Sequence, residues 1–526
     1  MPAHTRFHSH FPLFLQITPL FLFLFLDLPR RLLYFLIVRP ITLLLTLLLA
    51  ATMAGAWIFT NYQRHLLLDP QAGPAASADG SAPSGASYDE VALLKKNLDY
   101  FKEQVDLLRK ENENLSAAVR KLSDQISTAD GPDGQPAGFS PESLVREVEA
   151  IRELKFDPPP KFVRVPVTEL EQKIKQAVSA RITEEQARSR ERAAQALGLA
   201  YDPFDLIDGL TGLTMEQAGG HYDVVSNELY IDESFDFAKR PDLKGRLVKE
   251  IAYALVQQQF QAAGIDEFYP ANEDVALANR AFLIGDAVAT KIHHGVVDAL
   301  NTDYSREQAP ATPTAFTGAP LFLRQQFLFP YMMGSTFSQE MTQDGGPKAL
   351  DALYNEPPGS TAEILHPELY TATPRFSAIT VNWPDVLIND TLPYADNVLG
   401  EFTIYQLLKA RLPEDPAFEG AKGWAGDRYV CYPGPEGQKG DHLYWRTHWQ
   451  TEQDAQEFLK AAQTVWLHRY SIPPNPRYEQ PDGSTLVDDP GRVIHILLGA
   501  DKKTVNITDS PDAAFVGAME AHFAQP

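Results

Sequence analysis

The sequence predicts an α+β chain, a helix-rich body with small antiparallel sheets, preceded by a transmembrane helix and a coiled coil. Three observations carry this. Residues 40–60 are an uncharged apolar run long enough to cross a bilayer. Residues 91–126 repeat apolar side chains at alternating spacings of three and four. The rest mixes segments of helical period with short alternating runs, grouped at different places along the chain.

Residues 1–66 read as a membrane anchor whose main span is 40–60. That run meets the ~20 residues needed to cross ~30 Å of hydrocarbon, and Trp57 sits where an interfacial anchor belongs. Residues 11–26 are equally apolar but shorter, and they contain Pro12, Gln16 and Pro19. A short first span, an interfacial segment and an over-long start all suit them. Arg30, Arg31 and Arg39 lie just before the main span, so the positive-inside rule keeps them cytoplasmic. The expected location is the inner or cytoplasmic membrane, single-pass, with the bulk of the chain on the extracytoplasmic (periplasmic) side. Ala54-Gly55-Ala56 resembles a signal-peptidase site, making a cleaved leader the rival reading. The apolar run continues through Trp57-Ile58-Phe59, which favours the uncleaved anchor.

Residues 67–87 are small, aperiodic and rich in Pro, Gly, Ser and Ala, which predicts a flexible linker. Residues 88–127 then form the coiled coil, with Val91, Leu98, Val105, Asn112, Val119 and Ile126 at a. Leu94, Phe101, Leu108, Leu115 and Leu122 occupy d. β-Branched residues at a with Leu at d favour two parallel strands, and a single a-position Asn fixes register and dimer state. The expectation is a parallel homodimer entering one membrane from one side; a lone amphipathic helix folded onto the body is the alternative. A second linker at 128–139, with Asp130-Gly131-Pro132, leads to the body at 140–526.

Within the body, Ser140-Pro141-Glu142 predicts a helix start with Pro at the first helical position. Residues 168–199 read as a long charged amphipathic stretch, and 222–231 as a β-hairpin about Ser226-Asn227-Glu228. The helix at 243–262 shows an inner stripe of Leu247, Ile251, Ala254, Leu255 and Gln258. Further helices are expected at 273–294, 321–343, 398–411 and 451–469. Paired strands are expected at 427–432 and 443–449, with another at 493–498. Phe322, Phe327, Phe329 and Tyr331 are expected in the core.

Charge excludes one class of function. The chain carries −23, and outside the anchor it holds 41 Lys+Arg against 68 Asp+Glu. Nucleic-acid binding needs a basic surface, so it is not expected here. Cys431 is the only cysteine, so the chain can form no intrachain disulfide or thiolate cluster. A small buried hydrophobe is the expected role for it.

The chemistry concentrates at Lys249-Glu250-Ile251-Ala252-Tyr253. In an H-E-x-x-H helix two His at i and i+4 share one face and bind zinc, and the Glu acts as general base. Here Lys249 and Tyr253 hold the outer positions and Glu250 the inner one. A protonated Lys has three donors and no lone pair, so it cannot take an imidazole's place beside Zn²⁺.

A strand pair, the Leu247-Val248-Lys249-Glu250 helix, and Ala278-Asn279-Arg280-Ala281-Phe282-Leu283-Ile284-Gly285-Asp286-Ala287 follow one another in order. Phe329-Pro330-Tyr331, Pro357-Pro358-Gly359, Ile364-Leu365-His366-Pro367-Glu368 and Gly423-Trp424-Ala425-Gly426-Asp427 come later. Over residues 160–500 this series resembles a family of bacterial gluzincin-type putative zinc metallopeptidases (HExxH…E). The resemblance implies a zincin-like body and a degenerate member lacking the zinc ligands. The degenerate ligand positions are Lys249, Tyr253 and Ile284, while Glu250 is a retained, vestigial base position. It marks Asp286 and His366 as cleft-binding candidates. It implies neither a metal nor another cofactor. Lys249 is expected either to pair with Glu250 or Asp286, or to reach solvent.

The function expected from this reading is that of a membrane-anchored, extracytoplasmic, catalytically inactive metallopeptidase-like protein. It would act by binding an unknown peptide or protein partner, with the 222–231 hairpin as the candidate edge. An active metal-dependent peptidase with non-standard ligands (His221, His293, His294 or His366) is one alternative. A structural envelope scaffold with a self-filled cleft is another.

Overall fold

In the computed structural model, residues 141–235, 241–262, 272–299, 318–343, 345–381, 392–435, 440–480, 483–489 and 491–523 are described. They belong to one unit, Asp133–Pro526. The expected anchor, both linkers and the coiled coil lie outside them. Among the described residues no helix is long and apolar enough to cross a membrane.

The body mixes helix with two sheets, as an α+β chain should. Its first part is α1 (Pro141–Arg152), β1 (Lys161–Val165), α2 (Val167–Arg181), α3 (Glu184–Leu197), α4 (Leu206–Gln217), β2 (His221–Asp223) and β3 (Glu228–Asp232). Two long helices follow, α5 (Pro241–Phe260) and α6 (Glu273–Ala299). The expected 168–199 stretch is two helices. Thr183 closes a capping box there: its hydroxyl accepts from Gln186 N at 3.2 Å and its own N–H donates to the Gln186 side chain at 2.9 Å.

The three-stranded sheet has the order β1-β3-β2. β2 and β3 form the expected antiparallel hairpin, with His221 opposite Tyr230. β1 runs parallel to β3, from Lys161 against Glu228 to Val165 against Asp232, so this sheet is mixed. Parallel pairing needs a long crossover, and α2, α3 and α4 supply it. α5 lies beside the hairpin and is buried on almost every face. Leu247, Val248, Ile251, Ala252 and Leu255 are fully enclosed with Leu144 and Val148 of α1 and Leu229 and Ile231 of β3. The predicted stripe was correct but too narrow, because α1 and α6 cover what a surface helix would expose.

The expected 321–343 helix is α7 (Leu321–Phe329), a π turn (Pro330–Gly334) and α8 (Ser335–Met341). Pro330 has no N–H to give the α-helical ladder, and the chain widens there by one residue. The turn packs on α6 at a glycine pair. A Cβ on Gly285 would stand 2.3 Å from the Gly334 backbone, and one on Gly334 would stand 2.0 Å from the Ala281 carbonyl oxygen. Only glycine permits this approach.

The second half holds β4 (Ala395–Asn397), α9 (Gly400–Lys409), α10 (Glu414–Ala421), β5 (Trp424–Tyr432), β6 (His442–Trp449), α11 (Glu452–Arg469), β7 (Thr485–Asp489), β8 (Arg492–Leu498), β9 (Thr504–Ser510) and α12 (Ala513–Phe523). Its strands form one antiparallel six-stranded sheet in the order β4-β5-β6-β9-β8-β7. α9, α10 and α11 cover one face through Trp424, Trp445, Trp449, Phe458 and Trp466. Buried indoles need acceptors. Trp424 and Trp445 both donate to Asp427 at 2.9 Å, and Trp466 donates to Asp509 at 3.0 Å. Cys431 is buried in this core, the position expected for it.

Candidate functional site

α5 and α6 bring Lys249, Glu250, Tyr253 and Ile284 to one cavity of about 130 Å³. Lys249 and Tyr253 are four residues apart and share a helix face. Ile284 reaches the same space from α6. β2 contributes His221 and Tyr222, and the π turn contributes Tyr331. His221, Tyr253, Ile284 and Tyr331 are half-buried.

The Lys249 ammonium lies 2.7 Å from the Glu250 carboxylate, both side chains being about nine-tenths buried. It also lies 3.4 Å from the Tyr331 hydroxyl and 5.2 Å from the centre of that ring. Burial opposes the charge, but Glu250 and Tyr331 outweigh it and hold the amine above the ordinary lysine range. Lys249 therefore stays cationic and pairs with Glu250 instead of reaching solvent. Such a pair is a charge-assisted hydrogen bond between the first ligand position and the base position. An ammonium, a phenol and a hydrocarbon do not fit Zn²⁺, which needs about three N, O or S donors. No chemical step through a metal is derived from this set.

Asp286 does not face the cavity. It stands two residues from Ile284, about 200° around a helix turning 100° per residue. Its carboxylate is fully enclosed by Arg152 of α1, at 2.8 and 3.0 Å, and by the Tyr354 hydroxyl at 2.8 Å. Arg152 also reaches Asp351 at 2.8 Å. This clamp ties α1 to α6 and leaves Asp286 no part in a cleft. Burial raises its pKa, and the Arg152 charge opposes the shift.

His366 also lies apart from the cavity. Its Nε2 is 2.8 Å from Glu401 of α9, and its N–H donates to Ala362 O at 2.8 Å, so it ends a short helix (Thr361–Leu365). Hydrogen bonding to Glu401 raises its pKa although burial opposes this. His294, expected near the surface, is buried with Nε2 2.8 Å from Glu147, because α6 runs on to Ala299. Of His221, His293, His294 and His366, only His221 lines the cavity. Burial lowers its pKa; Glu250 opposes that shift and Arg181 adds to it. Among the described residues no three His, Cys, Asp or Glu side chains gather into a group able to hold a metal.

Sequence reasoning missed several lining residues. Tyr331 and Phe327 were expected in the core with Phe322 and Phe329, but they line the cavity. The π turn is what rotates Tyr331 inward. Arg280 also lines it, and its position four residues before Ile284 on one helix was a usable signal. Arg181 of α2 and Arg190 of α3 arrive from distant segments that carried none.

A larger cavity, about 860 Å³, lies between the start of α6 and β5 and shares no residue with the first. Its charged groups are paired among themselves, Arg375 with Glu363 at 2.7 Å and Arg428 with Asp396 at 2.6 Å. Asp274, buried there, accepts from Thr361 N at 3.1 Å and Thr361 Oγ1 at 2.5 Å. Burial pushes its pKa up to about 8, with Asp427 and Glu401 adding to the rise and Thr361 opposing it.

A family model described as Domain of unknown function (DUF8575) matches residues 391–520. The match spans the six-stranded sheet and its covering helices, and it leaves α5, α6 and their cavity outside. No curated protein and no solved structure matches the chain.

Proposed function

We propose that this is a membrane-anchored, extracytoplasmic protein of metallopeptidase-like type that has lost catalysis and acts by binding a peptide or protein. The zincin-like reading of the body, the periplasmic placement and the dimeric stalk belong to this proposal. The observation that carries it is the Lys249–Glu250 pair at 2.7 Å, inside a cavity that also receives Tyr253 and Ile284. A carboxylate held by an adjacent ammonium is a poor general base, because taking up a proton would break the pair. The edge strand β2, with His221 and Tyr222 on the cavity, suits a peptide added as a further strand, a mode that needs no metal. Half-buried residues around the cavity favour binding over a cleft filled by its own side chains.

Restoring the ligands tests the reading. The triple variant Lys249→His, Tyr253→His, Ile284→Glu should hold one zinc per chain by elemental analysis, while the unaltered protein should hold none there. A folded triple variant that takes up no zinc would remove the metallopeptidase-like reading. Stoichiometric metal in the unaltered protein, with chelator-sensitive peptide cleavage, would establish the active-enzyme alternative.

A further inference from the structure

The cavity beside Glu250 has an unusual charge for this protein. Arg181, Arg190, Lys249 and Arg280 line it against the single carboxylate of Glu250, in a chain whose net charge is −23. Some of that positive charge is answered within the protein. Glu250 pairs with Lys249, and Glu273 lies 3.4 Å from Arg190 and is also influenced by Arg280. Arg190 further donates to Gln326 at 3.0 Å. Two carboxylates against four cations still leave an excess of positive charge, converging from α2, α3, α5 and α6.

The remaining wall is hydrocarbon. Ile174, Val178, Leu210, Ile284, Leu323 and Phe327 line the same space. An inorganic anion would have no use for that surface, and a purely apolar ligand would leave the cations without an anion. Size narrows the choice further. About 130 Å³ is room for roughly four waters at ~30 Å³ each, the bulk of one amino-acid residue. It is below the ~300 Å³ at which pockets for larger small molecules begin.

We propose that the cavity receives a carboxylate carried on a compact apolar group, met as the C-terminal residue of a peptide lying along β2. This rests on the peptide-binding reading above, and a free small acid presents the same chemistry without a peptide. Guanidinium groups suit it because their fork of donors matches the two carboxylate oxygens.

The test uses the full chain in detergent micelles and three probes: a tetrapeptide of three alanines and a terminal leucine as the free acid, the same peptide as its C-terminal amide, and N-acetyl-leucine. Calorimetric titration should show the acid peptide binding about tenfold or more tighter than the amide. Arg181→Gln should weaken the acid peptide by a similar factor and leave the amide unchanged, with its thermal melt matching the parent. Equal affinity for acid and amide overturns the carboxylate pocket and leaves peptide binding standing. Arginine-dependent binding of N-acetyl-leucine with neither peptide bound keeps the pocket and removes the peptide reading. No binding of any probe overturns both.

Discussion

Lys249 and Glu250 are neighbours in sequence, yet their meeting is a tertiary event. Adjacent side chains on a helix diverge by about 100°, and here Tyr331 and the cavity wall turn the Lys249 chain back onto the Glu250 carboxylate. Lys249→Met should leave that carboxylate without its cation at about one-tenth exposure. Urea unfolding should show a loss of about 2–4 kcal/mol, largely recovered by adding Glu250→Gln. A neutral Lys249→Met would mean that Glu250 does not need the ammonium. Asp274 offers a pH-dependent counterpart. Its carboxyl titrates near 8 when folded, against an ordinary value of 3.8. Between those pH values the folded state holds a proton that the unfolded state has released, so stability falls as pH rises through that window. Asp274→Asn should flatten the decline between pH 5 and 8 in thermal melts; an unchanged slope would place the proton elsewhere. Both sites show what the sequence could and could not display. The K-E-x-x-Y frame was readable because its residues are four apart on one helix. Asp286 was misplaced because sequence adjacency to Ile284 hid a half-turn of rotation.

At the scale of elements, helices with strong local signals were legible: Pro141 opened α1, and the apolar stripe of α5 ran where it was expected. Element ends and interruptions were harder. Thr183-Glu184-Glu185-Gln186 spells a capping box that divides 168–199, a signal present in the residues but overridden by the long charged period. The π turn at Pro330 carried only a proline as warning, yet it delivers Tyr331 to the site. Strands β4, β7 and β9 were not foreseen, since their meaning lies in partners distant along the chain, such as Tyr444 opposite Thr508. The helix crossing that holds the π turn is testable. Gly285→Ala puts a methyl into the Gly334 backbone and should destabilise by about 1–3 kcal/mol. Gly295→Ala, on the same helix with open space around it, should be neutral or gain up to about 1 kcal/mol. Equal effects at both positions would show that the crossing is loose.

At the scale of the whole molecule, the described body accounts for the helices, the two sheets and the cavity, while the proposed tether and stalk rest on sequence alone. The heptads at 88–127 make a definite prediction. In detergent, light scattering should give the intact chain twice the protein mass of a variant lacking 88–127, and the thermal transition of the body should be unchanged. A monomeric intact chain would remove the parallel coiled coil. Asn112→Val should raise the melting temperature of the stalk while broadening its oligomeric states, because a polar a position trades stability for a defined pairing.

The Arg152 clamp has a mechanical side. α1 is where the body begins after the proposed stalk, and its last residue grips α6 through Asp286, two positions from Ile284. A tug arriving along the chain from the membrane is thus handed to the floor of the cavity before it can reach the six-stranded sheet. The grip on a bound ligand and the tension on the leash share one fastening.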